Sequence, residues 1–151
     1  MDGQGSHRLR RGRVSISGQL YLLTSTVESR QPIFKDFQLA RLMVEQFKYA
    51  QHNKLAKSLA WVVMPDHLHW LIELEQATLA ALMRRVKCRS TCLINKACQR
   101  QGRLWQQGFH DRALRRDEDI KAVARYIVAN PIRAGLVTHV GDYPHWDAIW
   151  L

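Results

Sequence analysis

Two histidines, His67 and His69, are separated by one residue in the segment MPDHLHW, residues 64–70. The apolar residues around them are typical of a strand, and residues two apart in a strand point to the same side. His67 and His69 are therefore predicted to share one face, with Leu68 and Trp70 on the other. Two neutral imidazoles on one face can bind a divalent metal ion. The pattern is weak by itself, because such a pair is more often structural or at the surface.

A third metal ligand is expected from elsewhere in the chain, because two histidines are too few to hold an ion firmly. Asn130 is the preferred candidate: Tyr126 and Asn130 are four residues apart in a helical segment and would project from one face. An amide and a phenol on one face suit a helix packed over a polar pocket, although packing alone also explains both residues. Three further candidates stay open, namely Glu73, His110 and Asp66, the last with a parity that points it to the opposite face.

Hydrophobic periodicity predicts the elements that must position these residues. In chain order we expect a strand, a helix, two strands joined through Pro65 and Asp66, a helix, a strand and a last helix. Thr78 and Asp117 are predicted to cap the last two helices, and Pro131 to end the second of them. The rest, 132–151, is expected to form turns. The predicted ranges are 19–27, 36–52, 58–65, 67–75, 78–99, 102–114 and 117–130.

This order of elements is that of a split βαβ sandwich, an α+β fold. We expect one antiparallel sheet with helices on one face, followed by an extra C-terminal helix that carries Tyr126. Residues 18–151 are predicted to form a single domain, and residues 1–17 a flexible basic arm. The helix over 78–99 is expected to turn four apolar side chains inward, namely Leu79, Leu82, Val86 and Leu93.

The net charge of +10 is concentrated in two segments. Residues 78–116 carry ten Lys or Arg against Asp111 alone, and residues 1–13 carry four Arg against Asp2. Concentrated positive charge suits a polyanion such as DNA, whereas a solvated cationic face is the alternative. Trp105 is the aromatic residue most expected to be exposed for base stacking. The cations expected to hold DNA are Arg8, Arg10, Arg11 and Arg13 of the arm, Arg84, Arg85, Lys87, Arg89 and Lys96 of the helix, and Arg112.

Several classes of protein are disfavoured by composition. The longest apolar run, residues 59–64, is far shorter than the about 20 residues that cross a bilayer, and no secretory signal begins the chain. Three cysteines in one predicted helix suit reduced thiols and a cytoplasmic location. No glycine-rich phosphate-binding motif is present, so no nucleotide cofactor is expected.

Four segments of the chain resemble the REP-associated tyrosine transposases, relatives of the single-tyrosine transposases of bacterial insertion sequences within the HUH nucleases. The resemblance covers residues 18–146, with the segments in the expected order. One departure is YLLT in the first strand, where relatives often have YHVT, so an assisting histidine is missing. The segments are MPDHLHWLIEL, LWQQGFHDRALR, ARYIVANPIRAGLV and DYPHW.

The resemblance implies a role for each candidate residue. His67 and His69 match the metal-binding histidines, Tyr126 matches the nucleophile, and Asn130 matches the polar third ligand, which is often Gln in the insertion-sequence enzymes. A ferredoxin-like fold, a requirement for Mg²⁺ or Mn²⁺ and single-stranded DNA with hairpin repeats as substrate are implied as well. The chain would be a monomer or a homodimer, since insertion-sequence relatives resemble swapped dimers.

The expected activity is cleavage and rejoining of single-stranded DNA beside a hairpin through a 5′-phosphotyrosine. Two rival functions remain open at this point. One is a nucleic-acid-binding module of the same fold without catalysis, in which His67, His69 and Tyr126 only pack. The other is a metal-dependent hydrolase that uses an activated water and forms no covalent intermediate.

Overall fold

A computed structural model describes residues 15–115 and 118–150 as a five-stranded antiparallel sheet with helices on both faces. The strand order is β4-β1-β3-β2-β5. The first four strands have the order of a ferredoxin-like, split βαβ sheet, so the predicted fold is confirmed. The elements are β1 (Leu20–Thr26), α1 (Phe37–His52), β2 (Ala56–Met64), β3 (His67–Leu74), α2 (Leu79–Cys98), β4 (His110–Ala113), α3 (Ile120–Val128), α4 (Asn130–Arg133) and β5 (Trp146–Ala148).

The two faces of the sheet bury different helices. On β3 the even-numbered residues, such as Leu68 and Trp70, pack in the core under α1 and α2. Leu71, which points the other way, packs in a second core with Ala124 and Ile127 of α3. The extra C-terminal helix therefore covers the face opposite to α1 and α2. His67 and His69 share the parity of Leu71, so they lie on the α3 face.

Side-chain caps fix where the long helices begin. Asp36 accepts a hydrogen bond from the Leu39 N–H at 3.1 Å at the start of α1, and Thr78 caps α2 as predicted. The cap of α3 is Asp119, which accepts from the Ala122 N–H at 3.1 Å. Asp117, the predicted cap, lies outside the described residues. α3 ends at Val128, shortly before the predicted stop.

Two predictions about burial and secondary structure were wrong. Leu93 is 38% exposed, whereas its neighbour Ile94 is buried, because the buried stripe of α2 runs through Ser90 and Ile94. The segment expected to form only turns contains β5, which pairs with residues 60–62 at the edge of β2. Three residues are too few to show a periodicity, and so the strand could not be predicted.

The described parts of the chain contain no helix that is both long and apolar enough to cross a membrane. The three cysteines, all on α2, are unpaired and exposed.

Candidate active site

His67 and His69 lie side by side on the α3 face of β3, as predicted. Their ring centroids are 5.0 Å apart and the ring planes are 81° from parallel. The antiparallel register places Thr26 opposite His67 and Thr24 opposite His69 on β1. These side chains are only partly buried, so this end of the sheet face is an open polar surface.

A carboxylate orients the ring of His67. Asp66 Oδ1 accepts a hydrogen bond from His67 Nδ1 at 2.7 Å, while Asp66 Oδ2 accepts from Arg30 Nε at 2.9 Å. Burial alone would raise the pKa of Asp66, but the bonds and charges of His67 and Arg30 outweigh it and lower the pKa. Asp66 belongs to the turn before β3, so strand parity does not apply to it. It therefore reaches the ring of His67 rather than the opposite face.

A threonine hydroxyl orients the ring of His69. Thr24 Oγ1 and His69 Nδ1 are 2.9 Å apart. Burial, together with the positive charges of His67 and Arg133, lowers the pKa of His69 to about 4. The ring is therefore neutral at neutral pH. In the tautomer that carries its proton on Nδ1, the ring donates to Thr24 Oγ1 and Nε2 keeps a lone pair for a ligand.

The donor set fits a divalent ion that keeps sites for water and substrate. Each histidine uses Nδ1 for an orienting partner, the arrangement in which metal-binding histidines offer Nε2. Within residues 15–115 and 118–150, no three His, Cys, Asp or Glu side chains are clustered so as to hold a metal ion. Asn130 remains a candidate for the third ligand. Its amide nitrogen donates to the Ile127 carbonyl at 3.1 Å, and this bond does not use the amide oxygen.

The other two candidate third ligands are set apart from the histidine pair. Glu73 lies four residues beyond His69, or about 13 Å along the strand. His110 is exposed on β4 and pairs with Thr24, which in turn pairs with His69. His110 therefore shares the face of His69, but at a distance of two strand spacings, about 10 Å.

Arg133 contacts Tyr126, and its charge acts on His69 of the histidine pair. The Tyr126 side chain is 64% exposed, and the Arg133 guanidinium stacks over its ring at 3.8 Å from the centroid. Arg133 also donates to the Tyr126 carbonyl at 2.6 Å. The same charge acts on His69, whose pKa it lowers. Tyr126 and Asn130 lie on two consecutive helices, α3 and α4, rather than on one.

Two residues expected to bind DNA, Trp105 and Lys87, form hydrogen bonds within the protein. Trp105 is only 3% exposed, and its indole N–H donates to Ser90 Oγ at 2.9 Å. It packs inside because the segment before β4 crosses the edge of the α1–α2 core. Lys87, expected to point outward, is half-buried and donates to the carbonyls of Gln106 and Gly108.

The remaining DNA-binding candidates are in different surroundings. Arg112 forms an ion pair with Glu118 at 2.7 Å on the α3 side of the sheet. Four cations are exposed on α2, over the face opposite to the histidines, and Arg8, Arg10, Arg11 and Arg13 lie outside the described residues. The four exposed cations are Arg84, Arg85, Arg89 and Lys96.

Sequence reasoning missed three residues that arrange this site: Thr24, Arg30 and Arg133. Thr24 and Arg30 act through contacts across 45 and 36 residues of chain, which no local pattern reveals. Arg133 stands seven residues after Tyr126 and on the next helix, so no regular helical spacing could have indicated their contact.

Comparison with known proteins identifies the family of the chain. The family model described as "Transposase IS200 like" matches residues 15–130. The REP-associated tyrosine transposase of Escherichia coli (strain K12) is 27% identical over 136 residues, which are 87% of this chain and 78% of that protein. A putative REP-associated tyrosine transposase of Haemophilus influenzae is 24% identical over 139 residues, with 85% and 78% covered.

A solved structure is similar over most of the fold. It is a REP-associated tyrosine transposase bound to a REP hairpin, with a TM-score of 0.71 and 25% identity, and the match covers 89% of this chain and 79% of that one. The family match spans strands β1 to β4, the histidine pair and the helix with the candidate tyrosine. The chain therefore belongs to the IS200-like transposases, a family of enzymes.

Proposed function

We propose that this protein is a metal-dependent endonuclease and strand transferase for single-stranded DNA. It acts next to hairpin repeats, through a covalent link between Tyr126 and a 5′-phosphate. The observation that carries the proposal is the pair of oriented imidazoles on an open sheet face. The exposed Tyr126 is held by Arg133, whose charge also acts on His69. The hairpin enters from the related transposase, whose structure holds a REP hairpin.

The chemistry is an exchange of one phosphodiester for another. The Tyr126 oxygen attacks the scissile phosphorus, a Tyr–O–P bond forms, and the bond from phosphorus to the 3′-oxygen breaks. The released strand takes up a proton as a 3′-hydroxyl, which balances the proton lost by the phenol. A later attack by a 3′-hydroxyl reverses these steps, so the strand is rejoined without a nucleotide cofactor.

The residues of the chain have separate parts in this proposal. His67, His69 and Asn130 would hold Mg²⁺ or Mn²⁺, which when bound offsets the negative charge that grows on the phosphate. Asp66 and Thr24 fix the two rings so that little reorganisation is needed on binding. Arg133 holds the Tyr126 ring and places a positive charge beside it, where the attacking oxygen and the phosphate become more negative.

A covalent adduct assay tests the proposal. End-labelled single-stranded DNA that carries a hairpin and a single-stranded flank is incubated with the protein and Mn²⁺, and labelled protein is sought on a denaturing gel. We expect an adduct that Tyr126→Phe abolishes. Tyr143→Phe is a matched control, because the Tyr143 hydroxyl is engaged with the Val63 carbonyl at 2.6 Å. That variant should keep the adduct at neutral pH.

The rival functions give different results in the same assay. Cleavage that persists in Tyr126→Phe, with no adduct in the wild type, would identify a hydrolase with an activated water. Binding of the hairpin without cleavage, unaffected by His67→Ala or His69→Ala, would identify a binding module. Either result overturns the proposal.

A further inference from the structure

The outer surface of α2 is a continuous band of positive charge. The helix contains five Lys or Arg and no Asp or Glu. Within the described part of the chain, no carboxylate forms a salt bridge with the four cations that are exposed there. We name these four, which span about 18 Å of helix, the α2 band. They are Arg84, Arg85, Arg89 and Lys96.

Two arginines of the α2 band are held in place by α1. The Arg89 guanidinium lies 3.8 Å from the centroid of the Tyr49 ring, and its Nε donates to Gln46 Oε1 at 3.1 Å. Gln46 is 1% exposed and is itself fixed by a bond to the Leu42 carbonyl. Arg85 donates to the Tyr49 hydroxyl at 3.4 Å. Neutral partners thus orient both guanidinium groups and leave their charge uncompensated.

The α2 band and the histidine pair lie on opposite sides of the sheet. α1 and α2 cover the face of Trp70, whereas His69 points to the face of α3. Helices pack at about 10 Å from the element beneath them, so a phosphate on the outside of α2 is well over 10 Å from the candidate active site. The α2 band therefore cannot contact the phosphate that reacts with Tyr126.

We propose that the α2 band binds the backbone of a duplex DNA segment that is not the strand being cut, with Arg85 and Arg89 as its main phosphate ligands. Guanidinium groups fixed by neutral partners match phosphate oxygens in geometry and charge. This assignment depends on the contacts of α1 and α2 and does not rest on the chemistry of Tyr126.

The side chains of the α2 band favour a duplex over a single strand. Proteins that bind single strands without sequence preference stack the bases on exposed aromatic rings. The exposed residues between the cations are Cys88, Cys92 and Leu93, and the face of Tyr49 is covered by Arg89. A surface that offers phosphate contacts and no stacking platform suits DNA with its bases already paired and stacked.

Binding of a blunt 20-base-pair duplex, measured by fluorescence anisotropy over a series of salt concentrations with EDTA present, tests the proposal. We expect Arg85→Ala/Arg89→Ala to weaken binding at least about 10-fold near 0.1 M salt. The slope of log affinity against log salt should fall by about 2, since each lost phosphate contact removes about 0.9. Arg85→Lys/Arg89→Lys keeps the charge but loses the planar guanidinium groups. Its duplex affinity should lie between those of wild type and the double alanine variant.

The matched control is Lys35→Ala/Lys57→Ala, which removes the same charge at exposed positions away from the α2 band. It should change duplex affinity less than 2-fold. An equal loss in both double variants would mean that only net charge matters, which overturns the proposal. An equal loss for a single-stranded 20-mer would overturn the assignment to duplex DNA.

The failure of this proposal can be distinguished from the failure of the proposed function. The anisotropy measurement is made with EDTA present, so it decides the duplex proposal whether or not the protein forms an adduct. Circular dichroism verifies that Arg85→Ala/Arg89→Ala is folded.

Discussion

The guanidinium carbon of Arg133 lies over the ring of Tyr126, 3.8 Å from its centroid, while its charge also acts on His69. A tyrosine that is 64% exposed would otherwise sample several rotamers. The stacked cation, worth about 0.5–1 kcal/mol at an exposed site, favours one of them. A residue outside the proposed metal set thus biases the orientation of the phenol.

Arg133→Ala should lower the rate of adduct formation by about 10- to 100-fold, because it removes both the ring contact and a charge near the phosphate. Arg133→Lys keeps the charge without the planar stack and should recover part of the rate. Single-turnover gels with Mn²⁺ in excess measure both variants. A rate within 2-fold of wild type in Arg133→Ala would show that Arg133 has no part in the reaction.

Asp66→Asn should raise the Mn²⁺ concentration needed for half-maximal adduct formation by about 10-fold or more. The carboxylate fixes the His67 ring, and loss of such orienting partners weakens metal affinity by about 10- to 100-fold. Titration of the adduct yield with Mn²⁺ is the measurement. Glu73→Gln on the same face is the control and should not shift the titration; a shift there would instead make Glu73 a ligand.

Ser90→Ala should destabilise the protein by about 1–3 kcal/mol without weakening its binding to DNA. The substitution leaves the buried Trp105 indole N–H without its partner. Urea denaturation measures the free energy of unfolding, and anisotropy measures binding. Weaker DNA binding with an unchanged free energy of unfolding would contradict this prediction and would indicate that Trp105 stacks on DNA bases.

The partly buried Tyr143 hydroxyl should make the free energy of unfolding fall at alkaline pH. Burial raises the pKa of Tyr143 to about 12 from its usual 10.0, so the folded state holds this proton more tightly than the unfolded state. The resulting stabilisation is complete below pH 10 and is lost as the pH rises towards 12, and its size is reduced because the side chain is partly exposed to solvent. Urea denaturation from pH 9 to 12 should therefore give a shallower decline for Tyr143→Phe than for wild type. Equal declines in the wild type and in Tyr143→Phe would contradict this prediction.

Local sequence patterns were sufficient to predict the order of the elements from β1 to α3 and the side to which the histidines point. Alternation along β3 decides that His67 and His69 share a face, and this depends only on the strand itself. Its burial pattern could not reveal that α3 covers that same face, because the choice depends on where the chain turns after β4. The pairing of Thr24 with His69 likewise required the register between β1 and β3.

Charge counting was right about the excess on α2 but could not assign it to a side of the molecule. The excess is visible in the sequence, whereas the position of α2 relative to His69 follows from which face each helix covers. The prediction that Trp105 is exposed was wrong for a related reason. Neighbouring glycine and basic residues are typical of exposed loops. The burial of Trp105 comes from contacts with Ser90 and Phe34, far away along the chain.

The short strand β5 has a consequence for solubility. By pairing with residues 60–62 of β2, it occupies backbone donors and acceptors that would otherwise form an open border of the sheet. An unprotected border of this kind is a template on which another copy can add its own strand. The sheet therefore ends in a three-residue strand, which offers another copy fewer unpaired backbone groups than the nine-residue β2 would.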